Sequence, residues 1–173
     1  MHTAPIEPVS ITEFRNGLAL LPGAVTVITT DGPAGLAGFT ASAVCSVSDS
    51  PPTVLVCMNR SSFAHRFFTD NGRLCVNVLR AAQQPLSALF SNREVAMDER
   101  FARCAWQPLA SGAPALDEAL VNLDGRIVAT HEAGTHSIFI VELQRIRVPG
   151  EAGDSAGLVW FNRSYHALGE VSA

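Results

Sequence analysis

The densest polar chemistry in the chain is Asn59-Arg60-Ser61-Ser62, at the end of the apolar run Thr53 to Met58. Phe63, Phe67 and Phe68 follow on one helical side, so the pattern predicts a buried strand and then a short helix over Ser61 to Thr69. Free N–H groups at a helix start, together with hydroxyls and a guanidinium, would make an anion site. Capping by Ser61 or Ser62 is the simpler reading, but capping needs neither Asn59 nor Arg60, which favours a phosphate site. His136, at the start of a predicted strand, is either a single polar group at the mouth of a pocket or a hydrogen-bonded loop histidine. His131 and His136 frame HEAGTH, but they are five positions apart with Gly134 in a turn between them. A zinc protease pair lies four apart on a helix, so no metal site is expected.

A second unusual pattern is GFTASAVCSVS, Gly38 to Ser48. Thr40, Ser42, Val44, Ser46 and Ser48 alternate with Phe39, Ala41, Ala43, Cys45 and Val47, which in a strand would send the two sets to opposite faces. A face of small hydroxyls suits a backbone that must approach a flat ligand closely. GPAGLAG, Gly32 to Gly38, has G-x-x-G-x-x-G spacing and is followed by strand residues, so it reads as a hairpin loop rather than a dinucleotide fingerprint. Asn59-Arg60-Ser61 and Asn162-Arg163-Ser164 match the glycosylation sequon without a secretion signal to make it meaningful. No Ser-His-Asp or Cys-His set can be assembled by spacing, and Asp98-Glu99 reads as the solvated side of a helix. A chain this poor in acid and base groups fits a reaction carried by a cofactor.

The elements that must position these groups are mostly strands. Helical spacing covers Ser10 to Leu21, with Ser10 as N-cap, and two shorter pieces, Gln83 to Phe90 and Met97 to Cys104. Strands are expected at Ala24 to Thr30, Leu36 to Val47, Thr53 to Met58 and Leu74 to Leu79. A hairpin is expected from Ala119 to Thr130 and His136 to Val148 across Glu132 to Thr135, with Gly157 to Phe161 as the last strand. Turns and short helices, not regular crossover helices, join them, which argues for a mainly antiparallel barrel over a doubly wound parallel sheet. The length of 173 residues bounds this to one domain, expected over 10–169 behind a disordered tail at 1–9.

Composition narrows the function classes. The apolar fraction is 47% against 16% charged, rich enough that another subunit is expected to cover some surface. Net charge is −4 and all basic residues are arginines, none adjacent to another, so no nucleic-acid patch is present. No apolar run is long enough for a membrane span, and the N-terminus does not read as a signal peptide. Cys45, Cys57, Cys75 and Cys104 form no CxxC pair; three lie in apolar runs and are expected free and buried, in a reducing cytoplasm.

Several pieces together resemble the flavin reductase family with the FMN-binding split barrel. They are AVTVITTDGPAGLAGFTASAVCSVSDSPPTVLVCMN, GRLCVNVL, MDERF at Met97 to Phe101, GTH at Gly134 to His136, and GLVWFNRSYHAL at Gly157 to Leu168. Within the family the resemblance is nearest to the NADH:FMN reductase component of bacterial pyrimidine (uracil) utilisation. Reductases of 4-hydroxyphenylacetate-type two-component monooxygenases are the alternative. The resemblance implies a Greek-key split β-barrel with short inserted helices, a cytoplasmic homodimer with flavin near the subunit interface, FMN (or FAD) and NADH as cofactors, and transient flavin transfer to a monooxygenase. It implies that Thr40, Ala41, Ser42, Ala43, Val44, Cys45 and Ser46 line the ring. Asn59, Ser61 and Ser62 would handle ribityl and phosphate groups, and Gly134, Thr135 and His136 would lie beside the nicotinamide, which His136 orients. Tyr165 and His166 would fall near the same pocket. A flavin carrier without reductase activity, or a pyridoxamine-phosphate-type oxidase on a similar barrel, would fit the fold. The GTH segment argues against the first, and the lack of a basic substrate-phosphate site against the second.

Overall fold

The computed structural model describes residues 7–148 and 156–169; the first six positions of the expected N-terminal tail lie outside them. Ser10 caps α1 (Ile11–Ala19) in a reciprocal box with Glu13. Its chain continues into β1 (Gly23–Ala24), β2 (Thr26–Thr30), β3 (Ala37–Ala41), β4 (Val44–Asp49) and β5 (Pro52–Asn59). After α2 (His65–Asn71) come β6 (Arg73–Val78), α3 (Gln84–Ser91) and α4 (Met97–Ala102). The remaining elements are β7 (Trp106–Pro108), β8 (Pro114–Leu116), β9 (Val121–Ala133), β10 (His136–Arg147), β11 (Gly157–Phe161) and β12 (Ser164–Leu168).

Every strand pair is antiparallel. The main sheet has seven strands in the order β3-β2-β6-β9-β10-β5-β4, with β1-β11-β12 and β7-β8 as smaller sheets. Its two edges, β3 and β4, are consecutive in the chain and separated only by Ser42 and Ala43. In a flat sheet those edges would lie roughly 29 Å apart at the usual strand spacing. The link from Ala41 to Val44 spans at most about 11 Å. The sheet therefore curls until its edges meet, and the Cys57 amide, donating to the Ala43 carbonyl at 3.1 Å, carries the β4–β5 ladder into the link between those edges. This is the mainly antiparallel barrel expected from the sequence.

The single strand expected over Leu36 to Val47 is corrected to two. Before the break Phe39 and Ala41 pack on the barrel core; after it Val44 does, so the inward parity changes. A register shift between Ser46 and Ser48 disturbs the pattern further, and the residues from Cys45 to Ser50 are exposed. The alternating hydroxyl face is thus not continuous. β2 shows why its sequence reads as an unbroken apolar and threonine run: all five residues are buried. Ile28 enters the barrel core with Val56, Phe68, Val76 and Phe139, while Val25 and Val27 enter a second core with Phe90, Phe101, Leu116 and Leu158. Buried Thr26 and Thr30 satisfy their hydroxyls on the carbonyls of Ala41 and Arg73, each at 2.7 Å.

Other corrections are local. The helix expected from Ser61 begins at His65, with Ala64 at its N-cap and no side-chain cap. Phe68 is buried, whereas Phe63 is exposed and Arg66 stacks over Phe63 and Phe67. The long hairpin turns through Gly134 and Thr135 alone, with Gly134 at φ 56°. Gly157–Phe161 is not the last strand: Asn162 and Arg163, at φ 47° and 61°, make the left-handed two-residue turn that returns the chain as β12. All four cysteines are free, but only Cys75 is buried; Cys57 and Cys104 are half-buried and Cys45 is exposed.

Candidate functional site

A cavity of about 670 Å³ opens beside the seam of the barrel, within the ~300–1,000 Å³ range of small-molecule sites. Its first wall is Gly38 to Ala43, the strand that carries the small residues. Gly38 is needed there for packing, since a Cβ would lie 2.8 Å from Phe90 Cε1. Thr40 gives its hydroxyl to the Ser87 carbonyl at 2.6 Å, so it is committed to α3 although it lines the cavity.

The second wall is Cys57 to Asn59 and Ser61 to Ala64. Asn59 Oδ1 accepts from both the amide and the hydroxyl of Ser61, each at 2.8 Å. The Ser62 amide donates to the Asn59 carbonyl and the Arg60 amide to the Thr135 carbonyl. The three amides expected to lie free at a helix start are therefore bonded within the turn, and the anion argument from a helix terminus is corrected. What remains toward the cavity is hydroxyl chemistry, chiefly that of Ser62. Arg60 turns to the hairpin and pairs with Glu132 at 2.8 Å.

The third wall was not legible in the sequence. Phe90, Ser91 and the connection Arg93 to Met97, with Arg100, close the side facing β3. Arg100 is 8% exposed and donates to the carbonyls of Val95 (2.9 Å), Phe90 (3.1 Å) and Asn92 (2.6 Å). Burial lowers its pKa. It clamps the loop that makes the wall, and the Gly38 amide lies 3.2 Å from Met97 Sδ. Arg93 is exposed and makes no hydrogen bond or ion pair among the described residues, leaving a free guanidinium on the lining. No periodicity marks this loop; only its tertiary packing brings it to β3.

His136 completes the lining. It stands opposite Asn59 in the β5–β10 register, and its Nδ1 lies 2.9 Å from Thr135 Oγ1. Nε2 has no protein partner among the described residues. The cavity thus gathers Thr40, Ala41, Ser42, Ala43, Asn59, Ser61, Ser62 and His136. Val44, Cys45 and Ser46 lie beyond the strand break and outside the lining, and Gly134 and Thr135 form the adjacent turn. Tyr165 packs on Trp160 in the second core with its hydroxyl 2.9 Å from Ser87 Oγ, and His166 Nε2 lies 3.1 Å from the Phe161 carbonyl.

The sequence matches the flavin reductase like domain over residues 18–169. The chain belongs to the flavin reductase family. It is 50% identical to the FMN reductase (NADH) RutF of Escherichia coli over 155 residues, 90% of this chain and 92% of that protein. A Haemophilus somnus protein assigned to the flavin reductases shares 42% identity, with TM-score 0.87 over 92% of this chain and 99% of its own. BorF, the flavin reductase component of a bacterial two-component tryptophan halogenase, superposes with TM-score 0.85 at 29% identity, covering 94% of this chain and 100% of its own. No helix among the described residues is long and apolar enough to cross a membrane.

Proposed function

We propose that this protein is an NADH-dependent FMN reductase that delivers reduced flavin to a partner monooxygenase, in pyrimidine (uracil) degradation. The observation that carries the reading is the cavity itself: small residues from Thr40 to Ala43 on one side, and His136 with a free Nε2 on another. The lining fits a flavin because nothing bulkier than Thr40 projects from the stretch Thr40 to Ala43. When bound, FMN supplies the hydride acceptor for NADH, which accounts for the scarcity of acid and base groups in the lining.

The chain's own residues bind and orient. Ala41 to Ala43 give the ring a flat wall, Asn59 and Ser62 hold the ribityl and phosphate end, and Arg93 offers a cation to the phosphate. His136 holds the nicotinamide through Nε2, with Thr135 fixing its ring through Nδ1. The Arg100-clamped loop closes the third side. Ile11, Phe14 and Leu18 of α1 are all more than half exposed, and the helix buries none of its residues. That apolar face supports a homodimer. The four free cysteines support a cytoplasmic setting. The names of the RutF relatives support the pyrimidine pathway, and the two-component halogenase reductase supports transfer of flavin to a separate oxygenase. The deciding experiment is anaerobic mixing of the purified protein with FMN and NADH. Loss of flavin absorbance at a catalytic rate is expected, and no NADH oxidation would overturn the reading.

A further inference from the structure

Arg60 stands between the Asn59–Ser62 connection on the cavity wall and the turn that precedes His136. Its amide donates to the Thr135 carbonyl at 3.0 Å, its Nη2 to the Gly134 carbonyl at 2.5 Å, and its Nη1 pairs with Glu132 Oε2 at 2.8 Å. The other carboxylate oxygen, Oε1, accepts from the fully buried Ser137 hydroxyl at 2.9 Å. Ser137 Oγ lies 2.8 Å from His65 Nε2. With the Ser137 proton directed to Glu132, that contact has His65 as donor. One carboxylate therefore ties three pieces together: the Asn59–Ala64 connection, the first residue of α2 and the turn before His136.

The side chains of Arg60 and Glu132 are 48% and 53% exposed. An ion pair so open to water adds little to global stability. Its consequence is geometric: it fixes the distance between the turn bearing Asn59, Ser61 and Ser62 and the turn bearing Thr135 and His136. We propose that Glu132 is a positioning residue, which through Arg60 and Ser137 sets His136 against the Asn59–Ser62 segment and so couples the two sides of the cavity. Which ligand lies on each side rests on the function proposed above; the strap between the turns does not. Where two turns move as a unit, a ligand ordering one raises the affinity of the other, and the effect is reciprocal.

The test uses the full chain with Glu132→Gln and Arg60→Lys. Exchange of the Arg60 amide, bonded to Thr135, is expected to be about tenfold faster in Glu132→Gln, with the core amide of Val76 unchanged. Arg60→Lys, which keeps the charge but cannot reach two acceptors as a fork, is expected to fall between. The KM for NADH should rise about fivefold, while kcat at saturating NADH and the Kd for FMN stay within about twofold. An unchanged Arg60 exchange rate overturns the strap whether or not the protein oxidises NADH. Faster exchange throughout the sheet, or kcat falling in step with the rise in KM, overturns the positioning role. If the wild-type protein fails to oxidise NADH, the exchange result still decides the strap while the proposed function falls.

Discussion

Thr40 donates its hydroxyl to the Ser87 carbonyl at 2.6 Å, and Ser87 Oγ lies 2.9 Å from the Tyr165 hydroxyl. Two residues that read in sequence as ligand contacts are thus joined through α3, and the cavity wall is tied to the C-terminal hairpin. Thr40→Val keeps the shape and removes the bond. It should lower stability by about 1 kcal/mol, a fall in Tm of roughly 2–4 °C. FMN affinity should stay within about threefold, because what the wall offers a ring is flatness. Ala43→Leu should do the opposite, weakening FMN at least about tenfold, the scale of a 1.4 kcal/mol clash, with Tm unchanged, since Ala43 is exposed. Thermal melts and flavin titration of both variants separate the roles; a reversed pattern would move the ring off this strand.

His136 and Asn59 are directly opposed across the β5–β10 register, so nicotinamide and ribityl functions would sit side by side. His136→Ala removes the Nε2 group without touching the strap, because the turn is held by Arg60 through backbone carbonyls. The KM for NADH should rise about tenfold, the loss expected for one hydrogen bond to a charged or polar ligand, while the Kd for FMN moves less. Steady-state kinetics with FMN saturating checks this. A larger effect on FMN would assign His136 to the flavin.

Much of this was legible in the sequence because it depends on local pattern. β5, β6 and β10 follow from β-branched runs, and α1 from helical spacing behind the Ser10 cap. The break at Ser42–Ala43 carried no Gly or Pro; the need to pair with two different edges imposes it. The α2 start was displaced because Phe63 counts as apolar in a helical pattern but is 72% exposed on the cavity rim. β7 and β8 are three residues each and contain prolines, so composition hides them. The Arg93–Met97 wall depends on contacts more than fifty positions away in the chain, such as Met97 with Gly38.

In the proposed site the phosphate falls to Ser62, which the helix-start pattern already favoured, and to Arg93, which it did not. Ser61 gives its hydroxyl to Asn59, and Arg60 is engaged with Glu132, whereas the Ser62 hydroxyl and the Arg93 guanidinium are uncommitted. Arg93→Ala and Ser62→Ala should each weaken FMN by about tenfold, the range of a charge-assisted hydrogen bond, and leave riboflavin within about twofold. Ser61→Ala should lower FMN and riboflavin affinity together, because it disturbs the Asn59 turn and not the phosphate. Parallel titrations with the two flavins measure the ratio; equal losses in Arg93→Ala would remove it from the phosphate.

The cysteines give an assay of the cavity that needs no turnover. Cys57 lines it and is half-buried, and burial raises its thiol pKa. Cys104 is pushed up to about 11 by burial, and Cys75 further still, by burial and then by Asp124. The thiolate is the form that reacts with iodoacetamide, so a raised pKa slows labelling at neutral pH and makes it rise with pH. Cys45, exposed on the edge strand β4, should label first at about pH 7.5, since access is open. Cys57 should follow and accelerate by roughly tenfold for each pH unit below its pKa. Cys75 should remain unlabelled until the fold opens. Saturating FMN should then protect Cys57 alone, because it is the one cysteine of the four on the cavity lining. Mass spectrometry of the alkylated peptides reads each site separately. Protection of Cys104, which lines a separate groove with Leu86 and Arg103, in place of Cys57 would put the flavin on the other side of α3 and overturn the site.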